Sequence, residues 1–139
     1  MTRIETVLLA TDASQASVAA ADYAVELAAR LGARLLVLSV VSGTTAVRDE
    51  RQLAIESIVQ RARAAGAEAQ GMTWDGEAGE SIVDVAEAES ADLIVVGTHG
   101  RGAVGRLFLG SVSDHVVRHA RCPVMVVRPT RATVSAGSP

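Results

Sequence analysis

Lysine is absent from this chain of 139 residues, and all 13 basic residues are arginine. Chemistry that runs through a lysine, whether a Schiff base or the lysine of a phosphate-binding P-loop, is therefore excluded. Cysteine is nearly absent too. Cys122 stands alone, so no intrachain disulfide can form and a reducing compartment is compatible. Aromatic residues amount to one Trp, one Tyr and one Phe. No apolar run approaches the roughly 18 to 20 residues of a membrane span. The arginines are scattered through a chain of net charge -3, which argues against a nucleic-acid footprint. The opening "MTRIETVLLATDAS" breaks its apolar run at Thr11 and Asp12 and has no small-residue cleavage site. No secretory signal is expected from it, and a cytoplasmic location follows as the expectation.

What is present is a chain with 49% hydrophobic and 21% charged residues, which is the composition of a globular protein. Its length predicts one domain with one core over residues 1–129, followed by a disordered tail over 130–139 rich in Ser, Thr, Ala and Pro. Short aliphatic runs alternate with amphipathic segments. "IETVLLAT" (Ile4 to Thr11) reads as a buried strand ending at Asp12. Ser14 is placed to cap a helix in which Val18, Ala21, Val25 and Ala28 recur at helical spacing, with Gly32 as its stop. "ARLLVLSVV" (Ala33 to Val41) is a second buried strand. The loop "SGTTAV" leads to a helix that ends near Gly66, with Ala54, Ile58 and Ala62 on one face. "AEAQGMTW" is a weaker strand, polar and interrupted by Gly71, as suits a sheet edge. Asp75, Gly76 and Gly79 open a short helix carrying Ile82, Val85, Ala86 and Glu89. "DLIVVG" (Asp92 to Gly97) is a fourth strand, Val112, Val116 and Ala120 mark a last helix, and "CPVMVV" a last strand. Five strands and four helices in βα alternation predict an open parallel sheet with helices on both faces. Ligands of such folds sit beyond the carboxyl ends of the strands, where the strand order reverses.

The first and fourth strand-to-helix loops would flank that crevice, and the fourth is unusual. Between Gly97 and Gly110 it holds five of the chain's glycines, and a Gly-Ser step then enters the last helix. A single glycine after a strand often serves only a tight turn. Several together let backbone amides approach a bulky anion, and the first turn of a helix adds unpaired N–H groups with a favourable dipole. Ser111 and Ser113 can add hydroxyl donors, and Arg101 and Arg106 positive charge. "GRGAVG" (Gly100 to Gly105) fits GxGxxG, yet it follows the fourth strand and no acidic residue lies about 20 positions on, so a dinucleotide site is disfavoured. What the stretch does fit is G-x2-G-x9-G-S/T, from Gly97 through Gly100 to Gly110 and Ser111.

With "VLLATDAS", "LLVLSVV", "ADLIVVGTHGRG" and "GSVSDHVVRHARCPVMVV", that spacing resembles the universal stress protein family in its ATP-binding branch. The resemblance runs from Met1 to about Arg128. It implies strand order 3-2-1-4-5, in a fold like that of the adenine nucleotide alpha hydrolases. It further implies that Asp12 meets the nucleoside, that Ala10, Thr11 and Val96 line its pocket and that the backbone at Val40 reads the adenine edge. Gly97 would admit the ribose, and Gly100, Arg101, Gly102, Gly110, Ser111, Val112 and Ser113 would surround the phosphates of ATP, with Mg2+ as its companion. A homodimer paired through the last strand, Pro123 to Val127, is implied as well; a strand simply buried under the last helix is the alternative.

Other residues have plainer readings. Asp12, between a strand and a helix, has the residue type of a cap or turn, and only the resemblance favours ligand contact. His115, His119 and Cys122 stand at i, i+4 and i+7, but Pro123 opens the next strand and puts Cys122 beyond the helix, so a zinc site is disfavoured. His99 is the one neutral-pH candidate for a general base, and nothing in the spacing makes a catalytic triad. The expected function is a nucleotide-binding stress-response module read by a protein partner of unknown identity. A slow ATPase and a binder of AMP or cyclic AMP are the alternatives.

Overall fold

The computed structural model describes residues 3–14, 17–98 and 110–129. Five strands, β1 (Thr6–Ala10), β2 (Arg34–Val41), β3 (Ala69–Asp75), β4 (Leu93–Gly97) and β5 (Val124–Val127), alternate with four helices: α1 (Val18–Leu31), α2 (Thr45–Ala64), α3 (Ala78–Ala88) and α4 (Ser111–His119). All strand pairs are parallel and the order is β3-β2-β1-β4-β5, as expected. The chain winds outward from β1 in one direction through α1 and α2. It then returns across the sheet through α3 and winds outward in the other direction through α4. Beside β1, toward β4, the winding reverses.

Side chains alternate across each strand, so the sheet separates two cores. Val7, Leu9, Leu35, Val37, Leu93, Val95 and Val127 face α1 and α2. Leu8, Leu36, Leu38, Ile94 and Val96 face α3 and α4, where Ile82, Val85 and Val116 meet them. Because the central strands are covered on both faces, they read in sequence as continuous aliphatic runs. Each fully buried Leu or Val contributes about 1.5 to 3 kcal/mol of transfer free energy. At the amino edge Asp92 joins the two central strands. Its Oδ2 accepts the Glu5 and Thr6 amides at 2.9 and 3.0 Å.

Local details depart from the sequence expectations for tertiary reasons. The N-cap of α1 is Ser17, not Ser14; the Ser14 carbonyl instead accepts the Ser17 amide at 3.1 Å. Val18 is 42% exposed, and α1 buries Ala19, Ala20, Ala21, Ala24, Val25 and Ala28 in its place. Small side chains there let the helix lie close on the sheet. Gly32 ends α1 in the left-handed region, as expected. Helix α2 begins inside the segment read as a loop, because the Thr44 hydroxyl accepts the Val47 amide. Its buried face is Ile55, Ile58, Val59 and Ala62, with Ala54 only half-buried.

Gly71 has a reason that the sequence did not show. β3 is an edge strand as expected, but a Cβ at Gly71 would lie 2.1 Å from Cγ2 of Ile55. The glycine is the hole into which an α2 side chain fits. Gly71→Ala should therefore destabilise the fold by about 1 to 3 kcal/mol through overpacking. Combining it with Ile55→Ala, which removes the Cγ2 methyl that the new Cβ would meet, should cost less in urea denaturation than the sum of the two single losses; strictly additive losses would show that the two side chains do not compete for one space.

Candidate nucleotide site at the carboxyl end of the sheet

β1 stops at Ala10, which lies opposite Leu38, whereas β2 continues to Val41. The Thr11 amide still donates to the Leu38 carbonyl at 2.9 Å, and then the chain turns away. Backbone groups of a strand point alternately to its two neighbours. The amide and carbonyl of Val40 therefore face the side that Leu38 faces, where β1 no longer runs. Above that gap, Ala10, Val40, Val96 and Val112 all belong to the apolar cluster on the α3 and α4 side. Four sequence-predicted residues from three strands and a helix thus share one face at the carboxyl end.

The turn after β1 is tightly organised. Asp12 Oδ1 accepts the Ser14 amide at 2.9 Å, and Thr11 Oγ1 accepts the Ala13 amide while donating to Ser17 Oγ at 3.0 Å. Ala13, held between them, has φ of 63°, a left-handed conformation that costs a non-glycine residue about 1 kcal/mol or more. Asp12 therefore does fill the role of a turn residue, through one of its two carboxylate oxygens.

Thr98 clamps the other side. Its amide donates to the Val127 carbonyl at 3.0 Å, and its carbonyl accepts both the Gly110 amide at 2.6 Å and the buried Ser113 hydroxyl at 2.7 Å. The end of β4 and the start of α4 are thereby held together although the glycine loop separates them in sequence. The Ser113 hydroxyl has one proton to give and spends it on Thr98, so this residue positions the helix start. Gly97 continues the strand opposite Val127, and Ser111 is exposed at the first position of α4. Gly100, Arg101 and Gly102, with His99, Gly105 and Arg106, lie outside the described residues, as does the 130–139 tail.

Helix starts differ in a way that follows position. α2 is capped by the Thr44 hydroxyl, and α3 by Glu77, whose carboxylate accepts the Gly79 and Glu80 amides. The Glu80 amide is the main cause that holds this carboxyl below the ordinary glutamate range, with the Gly79 amide and the charge of His115 adding to it against some desolvation. α1 and α4, which follow β1 and β4, have no side-chain cap among the described residues. Two hydroxyls at the same end, Ser14 Oγ and Thr98 Oγ1, are buried without a hydrogen-bond partner among the described residues.

His115 and His119 stack at 4.2 Å, and His119 Nδ1 lies 2.9 Å from the His115 carbonyl. His115 also fills the space over Gly79, where an added Cβ would meet its ring at 2.8 Å. Cys122 follows the helix and packs with the second core, its thiol pushed up by burial and by the Asp92 carboxylate. Among the described residues, no three His, Cys, Asp or Glu side chains are grouped to hold a metal, and no helix is long and apolar enough to cross a membrane.

This arrangement has relatives. The model of the universal stress protein family matches residues 3–128. The chain belongs to the universal stress protein family. A family member from Thermus aquaticus, the universal stress protein in the QAH/OAS sulfhydrylase 3′ region, is 41% identical over 135 residues, covering 89% of this chain and 98% of its own length. The solved structure of the hypothetical protein MJ0577 superposes with a TM-score of 0.85 at 22% identity, over 94% of this chain and 99% of that one, and so shares the fold. A universal stress protein solved in complex with cAMP superposes with a TM-score of 0.78 at 28% identity, over 93% of this chain and all of that one, 100%.

The Thr98 clamp, which sequence reasoning missed, gives a direct test. Ser113→Ala leaves the Thr98 carbonyl with one donor and should lower stability by about 1 kcal/mol. In hydrogen exchange the Gly110 amide should lose protection more than the core amides of β1 do. Equal loss throughout would mean that the hydroxyl does not act locally on the clamp.

Proposed function

We propose that this universal stress protein binds an adenine nucleotide in the crevice between β1 and β4, and that it works as a regulatory module rather than an enzyme. The observation that carries the reading is the contrast among helix starts. The two that face the crevice lack side-chain caps, while the two elsewhere have them. Uncapped first-turn amides suit an anion. The unpartnered Ser14 and Thr98 hydroxyls at the same end are polar groups that a ligand can satisfy. The Ala10, Val40, Val96 and Val112 floor suits a nucleoside, with the Val40 amide turned toward the edge of the base and its carbonyl also reached by Arg51 Nη1 at 3.5 Å. Thr11 and Asp12 border it.

ATP with Mg2+ is the ligand we favour. Gly97 would admit its ribose, and Gly100, Arg101, Gly102, Gly110, Ser111 and Val112 would surround its phosphates, with Ser113 holding the start of α4 beside them through Thr98; Mg2+ would offset phosphate charge that a lysine-free site meets with arginine alone. The cAMP complex of a relative supports a second reading, in which the ligand carries a single phosphate. Calorimetric titration of nucleotide-free protein with Mg-ATP, AMP and cAMP separates the two. We expect one ATP per chain. Arg101→Ala should weaken ATP by about tenfold or more, the equivalent of a lost charge-assisted hydrogen bond, and leave adenosine nearly unchanged. Equal losses for the two ligands would remove Arg101 from the phosphate site, and absence of all binding by the folded protein would overturn the proposal.

We further propose a homodimer in the cytoplasm, paired through the free edge of β5. This four-residue strand closes one side of the sheet, and Val124, Met125 and Val126 are only half-buried. An unpaired edge with partly open aliphatic residues is a template for strand pairing. Light scattering should give twice the chain mass, and Val126→Asp should give one chain mass with helical circular dichroism retained. A folded variant that remains dimeric would place the interface elsewhere.

A further inference from the structure

The one tryptophan of the chain stands where the proposed base would end. In the parallel register Trp74 of β3 lies directly opposite Val40 of β2. Leu38 and Met72 precede this pair and belong to the α3 and α4 core, so strand alternation puts Trp74 on the same face as Ala10, Val40, Val96 and Val112. Neighbouring strands are about 4.8 Å apart, which makes Trp74 the next side chain outward from Val40. Its ring leans along the strand toward the carboxyl rim, since a Cβ built on Gly76 would stand 3.9 Å from the indole Cδ1. The residue is nevertheless 47% exposed, the largest apolar side chain left open among the described residues.

The strand ends beneath it are held in place. Arg48 pairs with Asp75, the residue after Trp74. Arg51 donates to the buried Ser39 hydroxyl at 2.8 Å, just before Val40. A large ring on a braced strand end, open to solvent beside an apolar floor, is suited to receive a flat partner.

We infer that Trp74 forms the outer wall of the base pocket and packs against the purine. This rests on the nucleotide reading above and adds to it a residue that contacts the base. Packing of a base on an aromatic ring is insensitive to the phosphates. Trp74 should thus act equally on ATP, AMP and adenosine, unlike Arg101.

Because the chain has a single tryptophan, the wild-type protein reports on itself. Its emission should change saturably with Mg-ATP and with adenosine, at the midpoint that calorimetry gives, and should not respond to tripolyphosphate. Trp74→Ala should weaken all three adenine ligands by a common factor of about five to ten, with Trp74→Phe recovering most of it. If calorimetry registers ATP on the wild type while emission stays constant, or if folded Trp74→Ala binds as the wild type does, the wall is wrong and the nucleotide reading stands. If the wild type gives no heat with any of the three, the site itself is wrong and Trp74 loses its role with it.

Discussion

Parallel strands can exchange hydrogen bonds only as far as both continue, and the site depends on that constraint. β1 ends at Ala10, two residues short of the point where Val40 would need it as a partner. The amide and carbonyl of Val40 are left facing a gap with aliphatic side chains as its floor, and of the two the carbonyl is met by Arg51 at 3.5 Å. Had the winding continued in one direction, the next strand's crossover would have covered this gap. Because α3 carries the chain back across the sheet to β4, the helices after β1 and β4 diverge from it instead, and their starts border it.

Given that gap, the surrounding groups divide by task. Ser113 and Gly110 are occupied with the Thr98 carbonyl, and Thr98 with Val127, so the rim is held by bonds internal to the protein. Asp12 and Thr11 similarly hold the strained Ala13. Among the described residues, the groups left over are the first-turn amides of α1 and α4, the Ser14 and Thr98 hydroxyls and the second oxygen of Asp12. A rim fixed by one set of bonds with another set unspent would suit the proposed ligand, since preorganisation of this kind lowers the ordering cost of binding.

The fold was legible because its strands are buried on both faces. Continuous runs such as Leu35 to Leu38 and Leu93 to Val96 can hardly be exposed, and their alternation with helical periodicity leaves few topologies. The floor residues Ala10, Val40, Val96 and Val112 were named through a family resemblance, and the register brings them to one face. The close contacts were not legible. Gly71 read as a property of an edge strand, whereas it makes room for Ile55, and Gly79 read as a helix opener, whereas it makes room for His115. A glycine declares only a missing side chain; the one that fills the space comes from elsewhere in the chain. The same holds for Ser113, whose partner lies 15 residues away, and for Ser14, displaced as a cap by Ser17 because its carbonyl was the group the turn required.

An uncapped helix start forgoes about 0.5 to 2 kcal/mol relative to one with Ser, Thr, Asp or Asn in place. Two such starts, two unpartnered hydroxyls and one left-handed alanine together are a sizeable fraction of the 5 to 15 kcal/mol that holds an ordinary domain, on the order of a third or more. These features weaken the carboxyl end, whereas at the amino end Asp92 ties the central strands through two amides. A ligand that binds only the folded chain at 100 times its dissociation constant adds about 2.7 kcal/mol, much of it at the crevice. On the proposed reading, nucleotide occupancy would thus stabilise the start of α4 and, beyond it, β5. The crevice and β5 are joined through Thr98, which bonds to Gly110 and Ser113 on one side and to Val127 on the other; if the proposed site and dimer hold, this link would be a physical route from occupancy to assembly without any chemical step.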